Sequence, residues 1–102
     1  MRRGSTPKYQ ISVSGINVSD MGKIYITIEQ DTVEFTITDY TLDTNANTIT
    51  FSMTQEQTLS LTADAPTKLQ LKFINSAGEV YVSDIAYLTV EETLNEDVIT
   101  YV

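Results

Sequence analysis

Two residue types that many enzymes use for chemistry, cysteine and histidine, are absent from this chain of 102 residues. Without cysteine there is no disulfide, no thiolate nucleophile and no cysteine-based zinc or iron–sulfur site. Without histidine, the usual general base and the commonest ligand of transition metals are also missing. We therefore expect no catalytic, cofactor-binding or metal-binding residues, and we predict that the chain is not an enzyme.

Basic residues are scarce as well. Six lysines and arginines stand against fourteen acids, which gives a formal net charge of -8. Because this charge repels phosphate backbones and anionic lipids, we expect neither nucleic acid nor a membrane as a partner. The three residues at the start are followed by polar residues where a signal peptide needs an apolar segment, so no secretory signal is predicted.

Alternation of apolar and polar residues is the dominant pattern that is present, and residues 67–90 show it most clearly. Leu69, Leu71 and Phe73 alternate with more polar positions, and Asn-Ser-Ala-Gly at 75–78 follows as a turn. We expect a β-hairpin here, with its apolar face turned toward the core.

The return strand of this hairpin is expected to point Val80 and Val82 into the core. Beyond Val82 the register is open, because either Ile85 and Tyr87 or the alternate residues 86, 88 and 90 fit an inward face. A bulge near residues 83–84 would resolve it.

Further strands are predicted upstream from the same alternation. They cover residues 8–13, 23–30, 33–37 and 48–53, and Tyr40 with Leu42 either extends the third or begins a short fourth. Thr54 and Gln57 have capping-box spacing, which predicts one helical turn. About seven short strands with turns between them predict an all-β, two-sheet antiparallel sandwich over residues 8–90, between an N-terminal arm (1–7) and a C-terminal acidic tail (91–102).

Residues 43–47, Asp-Thr-Asn-Ala-Asn, match the opening of a calcium-binding loop. Such a loop needs glycine at its sixth position and glutamate at its twelfth, where this chain has Thr48 and Thr54. A hairpin turn with asparagine in the left-handed conformation is therefore predicted instead.

Charged and aromatic residues mark candidate interaction sites. Tyr25 and Tyr81 lie opposite the predicted inward faces, which is typical of an interface or a sugar-binding surface and equally of half-buried tyrosines at the rims of a sheet. Arg2 and Arg3 carry the charge of the arm, and opposite charge predicts that they contact acids in the tail of a neighbouring copy. The candidate interface residues are Arg2, Arg3, Tyr25, Tyr81, Glu91, Glu92, Glu96, Asp97 and Tyr101.

Several stretches stand in a suggestive order: MRRGSTP at 1–7, TITF at 48–51, TQEQTLSLT at 54–62, LQLKF at 69–73, Gly78, SDI at 83–85 and LNEDVI at 94–99. This order resembles a group of small structural proteins of tailed bacteriophages and prophages of Firmicutes. It is more loosely similar to the N-terminal β-sandwich of phage baseplate upper proteins.

The resemblance implies an immunoglobulin-like sandwich that serves as a building block of the virion, in the tail, baseplate or neck. Made in the bacterial cytoplasm, it would assemble with copies of itself and with other virion proteins through strand edges and terminal arms. The alternative is a carbohydrate-binding or adhesion module in which Tyr25 or Tyr81 stacks on a glycan ring.

Overall fold

Residues 1–99 are described by the computed structural model, and they form eight strands and two short helical turns. In chain order these are β1 (Lys8–Ser12), a 3-10 turn (Val18–Asp20), β2 (Met21–Gln30), β3 (Val33–Ile37), β4 (Thr41–Asp43), β5 (Thr48–Ser52), α1 (Gln55–Leu59), β6 (Thr67–Asn75), β7 (Val80–Val82) and β8 (Ala86–Leu88).

The strands form two antiparallel sheets. One has the order β1-β5-β4, and the other has the order β3-β2-β6-β7, with β8 also paired to β6. Since β7 and β8 pair with successive parts of one edge of β6, they occupy a single strand position. The order matches an immunoglobulin-like sandwich without its first strand: β1, β5 and β4 stand for B, E and D, and β3, β2, β6 and β7/β8 stand for C′, C, F and G. The predicted all-β sandwich is confirmed.

The core lies between the inner faces of β2 and β6 and those of the three-stranded sheet. Ile24, Ile26 and Ile28 of β2 are fully buried, and Leu69, Leu71 and Phe73 of β6 are nearly so. Ile49 and Phe51 of β5 close the core from the opposite side. Burying each such side chain contributes about 1.5–3 kcal/mol, so the period-2 pattern of the sequence is also the main source of stability.

The register of β7 differs from the expected one. Ile74 pairs with Val80 and Phe73 pairs with Tyr81 across the hairpin, and directly paired residues share a face of the sheet. Val80 and Val82 therefore lie on the outer face, where they are 56% and 57% exposed, and the prediction that they face the core was wrong. The cause is the spacing of the hairpin. Five residues, 75–79, separate the paired Ile74 and Val80, and a hydrogen bond from the Asn75 N–H to the Glu79 carbonyl (2.9 Å) closes this turn.

A bulge between β7 and β8 then restores the inward pattern. The Ser83 N–H donates to the Leu71 carbonyl (2.9 Å), and Leu69 pairs with Ala86. The step from Leu71 to Leu69 on β6 is therefore matched by three residues on the returning chain. One extra residue is thus accommodated after Ser83, as predicted, and the open register is resolved. Ala86 and Leu88 take the inner side, while Ile85 and Tyr87 point outward.

Two local features agree with their sequence signals. Asn47 has a φ of 55° at the end of the β4–β5 turn, and the Asp43 carboxylate accepts hydrogen bonds from the N–H groups of Asn45 and Ala46 (3.0 Å each). The predicted hairpin turn is therefore confirmed. In α1 the Thr54 hydroxyl and the Gln57 side chain cap each other's backbone N–H groups, which confirms the capping box.

Candidate interaction surfaces

The N-terminal arm lies against the start of the acidic tail in the same chain. The Met1 carbonyl accepts a hydrogen bond from the Glu91 N–H (2.6 Å), and the Arg3 N–H donates to the Glu91 carbonyl (2.9 Å). The terminal ammonium donates to the Thr89 carbonyl (2.6 Å). Arg2 and Glu91 form an isolated parallel bridge, so the arm runs alongside the segment that follows β8 and in the same direction.

Arg3 is the centre of the charged cluster. Its Nη1 lies 2.5 Å from a carboxylate oxygen of Glu92 and 2.5 Å from one of Glu96. Its Nε and Nη2 donate to the carbonyls of Leu61 (2.6 Å) and Leu59 (3.0 Å). Hydrogen bonds to Glu96 and then to Glu92 raise the pKa of Arg3. The Thr58 to Leu61 region, the arm and the tail therefore meet at one guanidinium.

Other charged groups of the arm and the tail also pair with each other within the chain. Arg2 Nη2 lies 3.3 Å from a Glu91 carboxylate oxygen, and both side chains are solvent-exposed. The pKa of Glu92 is lowered, first by the hydrogen bond from the Thr93 N–H and then by the one from Arg3. The pairing that we expected between neighbouring copies is thus found within one chain. Asp97 forms no ion pair within residues 1–99, and Tyr101 lies outside the described residues.

Thr58 fixes the arm to α1 and was missed by the sequence analysis. Its hydroxyl accepts a hydrogen bond from the Gly4 N–H (2.9 Å) and donates to the Ser5 carbonyl (2.8 Å), and the side chain is fully buried. The only signal in the sequence is a threonine one turn into a capped helical segment, which does not identify its distant partner.

The solvent-facing side of the five-stranded sheet, here called the outer face, is unusually apolar. Within residues 1–99 there are ten exposed large hydrophobic side chains, and six of them lie on this face. They are Tyr25, Ile74, Val80, Val82, Ile85 and Tyr87. Soluble proteins rarely leave a contiguous apolar patch exposed unless a partner covers it.

Lysines accompany these apolar residues on the outer face. Lys72 pairs in register with both Tyr25 and Val82, Lys68 pairs with Tyr87, and Lys23 Nζ lies 5.2 Å from the centroid of the Tyr25 ring. Half of the six basic residues of the chain are therefore on this face. Glu29, paired with Lys68 and with Glu34 of β3, marks the acidic side of the same face.

Tyr81 was expected on the outer face but lies on the inner side of the sheet edge. Its ring stacks on Phe73, with centroids 5.5 Å apart and an interplanar angle of 22°. It remains 43% exposed because it borders an open, largely apolar cleft of about 570 Å³ between β1 and β7. Among residues 1–99, no strand pairs with the edge of β1 that faces away from β5, and the cleft lies on this side of the sandwich. Within the same residues, Tyr81 and Asp84 are the titratable side chains that line it.

No model of a known protein family matches the chain, and no curated protein matches it. Within residues 1–99, no helix is long and apolar enough to cross a membrane, and no three acidic side chains are grouped so as to hold a metal ion. Fold and surfaces together define an immunoglobulin-like β-sandwich with one exposed apolar, lysine-bearing sheet face.

Proposed function

We propose that this chain is a non-enzymatic structural protein that assembles with copies of itself and with other proteins through the outer face, as a component of a tailed-phage virion. The clustering of six exposed apolar side chains on one sheet face carries the assembly role, because such patches mark protein–protein contacts. The virion setting is supported by the resemblance in sequence order alone.

Free strand edges add a second means of contact. In the described part of the chain, β3 has no partner on its outer edge, and neither do β1 and β4. Unpaired edges present rows of N–H and C=O groups that can accept a strand from another chain. The edges of both sheets therefore support assembly by strand addition alongside the outer face.

A carbohydrate-binding role is the second candidate, and Tyr87 is the observation that favours it. Its ring is 69% exposed on the outer face, where a flat sugar ring has room to stack. Tyr81, by contrast, already stacks on Phe73, which leaves less of its ring for a ligand. A glycan array separates the candidates: a saccharide preference that is lost in Tyr87→Ala supports sugar binding over assembly.

The assembly role is tested by sedimentation velocity of the purified chain over a dilution series. Val82→Asp replaces an exposed apolar side chain of the outer face by a carboxylate beside Lys72. Burying that carboxylate in an interface costs desolvation energy and removes apolar contact area, so we expect self-association to weaken by about tenfold or more. Asn17→Asp is the matched control, since Asn17 is exposed just before the 3-10 turn and lies neither on the outer face nor on a free strand edge. Both variants should keep the wild-type far-UV circular dichroism spectrum. Unchanged association of Val82→Asp would contradict the proposal.

A further inference from the structure

Nine of the ten exposed large apolar side chains of residues 1–99 lie on two surfaces that differ in charge. Six are on the outer face, and three, Leu94, Val98 and Ile99, are in the acidic tail. The tenth, Tyr81, borders the cleft between β1 and β7 and stacks on Phe73 within its own chain. The outer face and the tail are therefore the two surfaces of the described chain on which several exposed apolar side chains stand together, and a second copy can cover both.

The charges favour pairing the two surfaces with each other. On the outer face, Lys23, Lys68 and Lys72 have no carboxylate within 4.0 Å among the described residues. Two outer faces packed together would bring the lysines of both copies into one desolvated interface, which is costly. The tail has the opposite sign, because its four acids at positions 91, 92, 96 and 97 outnumber the three positive groups of the arm, which are the Met1 ammonium, Arg2 and Arg3.

We propose that the tail of one copy, residues 91–99, binds the outer face of a second copy, with Leu94 as the apolar anchor. Leu94 is fully exposed, and acids precede and follow it in the sequence. In this arrangement Leu94 packs into the shallow depression formed by Tyr25, Ile74 and Val80. The flanking carboxylates then approach Lys23 and Lys72 at its rim. The inference rests on the proposed function and names its partner.

The arm prepares the tail for this contact. Arg3 binds Glu92 and Glu96 on both sides of Leu94, so the segment that carries the anchor is already ordered in the free chain. Ordering before association lowers the entropic cost of binding. Since the tail and the outer face are different surfaces, the contact is heterologous, and repeating it joins copies into a ring or an open array.

The test measures self-association of three variants by sedimentation velocity. Lys23→Glu/Lys72→Glu reverses the charge of two lysines on the outer face, and Leu94→Ser removes the anchor. Asn17→Asp is the charge control, because it adds a negative charge away from the outer face, the tail and the free strand edges. We expect each of the first two to weaken association by about tenfold or more, and the control to match wild type. Because the Leu94 side chain is fully exposed, its loss should leave the unfolding midpoint unchanged.

Mixing gives a second, independent readout. A mixture of the outer-face variant and Leu94→Ser contains one intact tail and one intact outer face, so a one-to-one complex should form although neither variant associates alone. A wild-type chain that stays monomeric at about 0.5 mM, or a mixture that stays monomeric, would overturn the inference. If Leu94→Ser associates like wild type while Val82→Asp does not, the tail is refuted as partner and the assembly role of the outer face stands.

Discussion

At the scale of single residues, the amide of Asn47 joins the corner where the chain leaves one sheet for the other. Its Nδ2 donates to the carbonyls of Val13 (2.7 Å) and Ile16 (2.9 Å), and its Oδ1 accepts from the N–H of Val18 (2.8 Å). The backbone of Asn47 is left-handed, with a φ of 55°. Asparagine tolerates this conformation better than most residues, so one side chain meets both requirements.

Two substitutions at Asn47 separate the contribution of its side-chain hydrogen bonds from that of its left-handed backbone conformation. Asn47→Gly keeps the backbone conformation but removes three hydrogen bonds to partly buried groups, and we expect the free energy of unfolding to fall by about 1–3 kcal/mol. Asn47→Ala adds left-handed strain and should cost about 1 kcal/mol more. Urea titration measures both. Asn45→Ala is the control, since Asn45 is exposed in the same turn, and a loss of similar size there would contradict this role for Asn47.

At the scale of elements, α1 matters less as a helix than as an anchor for the arm. Its five residues are too few to be stable in isolation, and the capping box at Thr54 fixes where it begins. On its buried side Thr58 binds the backbone of two consecutive residues of the arm, at the Gly4 N–H and the Ser5 carbonyl. The connection between β5 and β6 thereby holds the N-terminus in place.

Thr58→Val tests this anchor with a side chain of nearly the same shape. It removes the hydroxyl and leaves the Gly4 N–H and the Ser5 carbonyl without their partner, at an expected cost of about 1–3 kcal/mol. Amide exchange at Gly4 should accelerate, while exchange in β2 at Ile26 should change only with global stability. Thr58→Ser keeps the hydroxyl and is the control. Equal exchange at Gly4 in the valine and serine variants would show that the hydroxyl does not hold the arm.

The elements also show where sequence reasoning succeeds. The alternating residues of β2 and β6 were assigned to the correct face because a buried sheet face imposes a period of two. The face of Val80 was missed because it depends on the number of loop residues between β6 and β7, which the strand pattern does not encode. Because Val80 and Val82 were assigned to the core, the sequence did not predict that the outer face is one apolar surface. The pairing of Arg3 within its own chain was missed because charge alone does not tell one copy from another.

At the scale of the whole molecule, a net charge of -8 is distributed unevenly. Basic groups occur at two sites in particular, the arm and the outer face, and at the arm they are paired with the most acid-rich stretch of the sequence. Pairing of this kind offsets local repulsion among carboxylates that would otherwise move the tail away from the sandwich. The docking of arm and tail should therefore depend on pH.

The shifted pKa of Glu92 determines whether a lower pH strengthens or weakens the docking of arm and tail. Its pKa is lowered in the folded chain, by the Thr93 N–H and by Arg3, so the unfolded or undocked chain binds a proton more readily. The contribution of Glu92 is complete above the ordinary glutamate pKa of about 4.3 and is lost as the pH falls through the lower, folded value. The Arg3 guanidinium stays charged throughout, so the carboxylate alone sets the direction.

We accordingly expect the arm to loosen on acidification while the core stays folded. Amide exchange at Arg3, whose N–H donates to the Glu91 carbonyl, should lose protection relative to Ile26 of β2 as the pH falls from about 6 to about 3, after correction for intrinsic exchange rates. Glu92→Gln removes the titrating group and should flatten this dependence, whereas Glu56→Gln, an exposed glutamate on α1 outside the charged cluster, should not. A pH dependence of equal size in Glu92→Gln and wild type would mean that this ion pair does not control the arm.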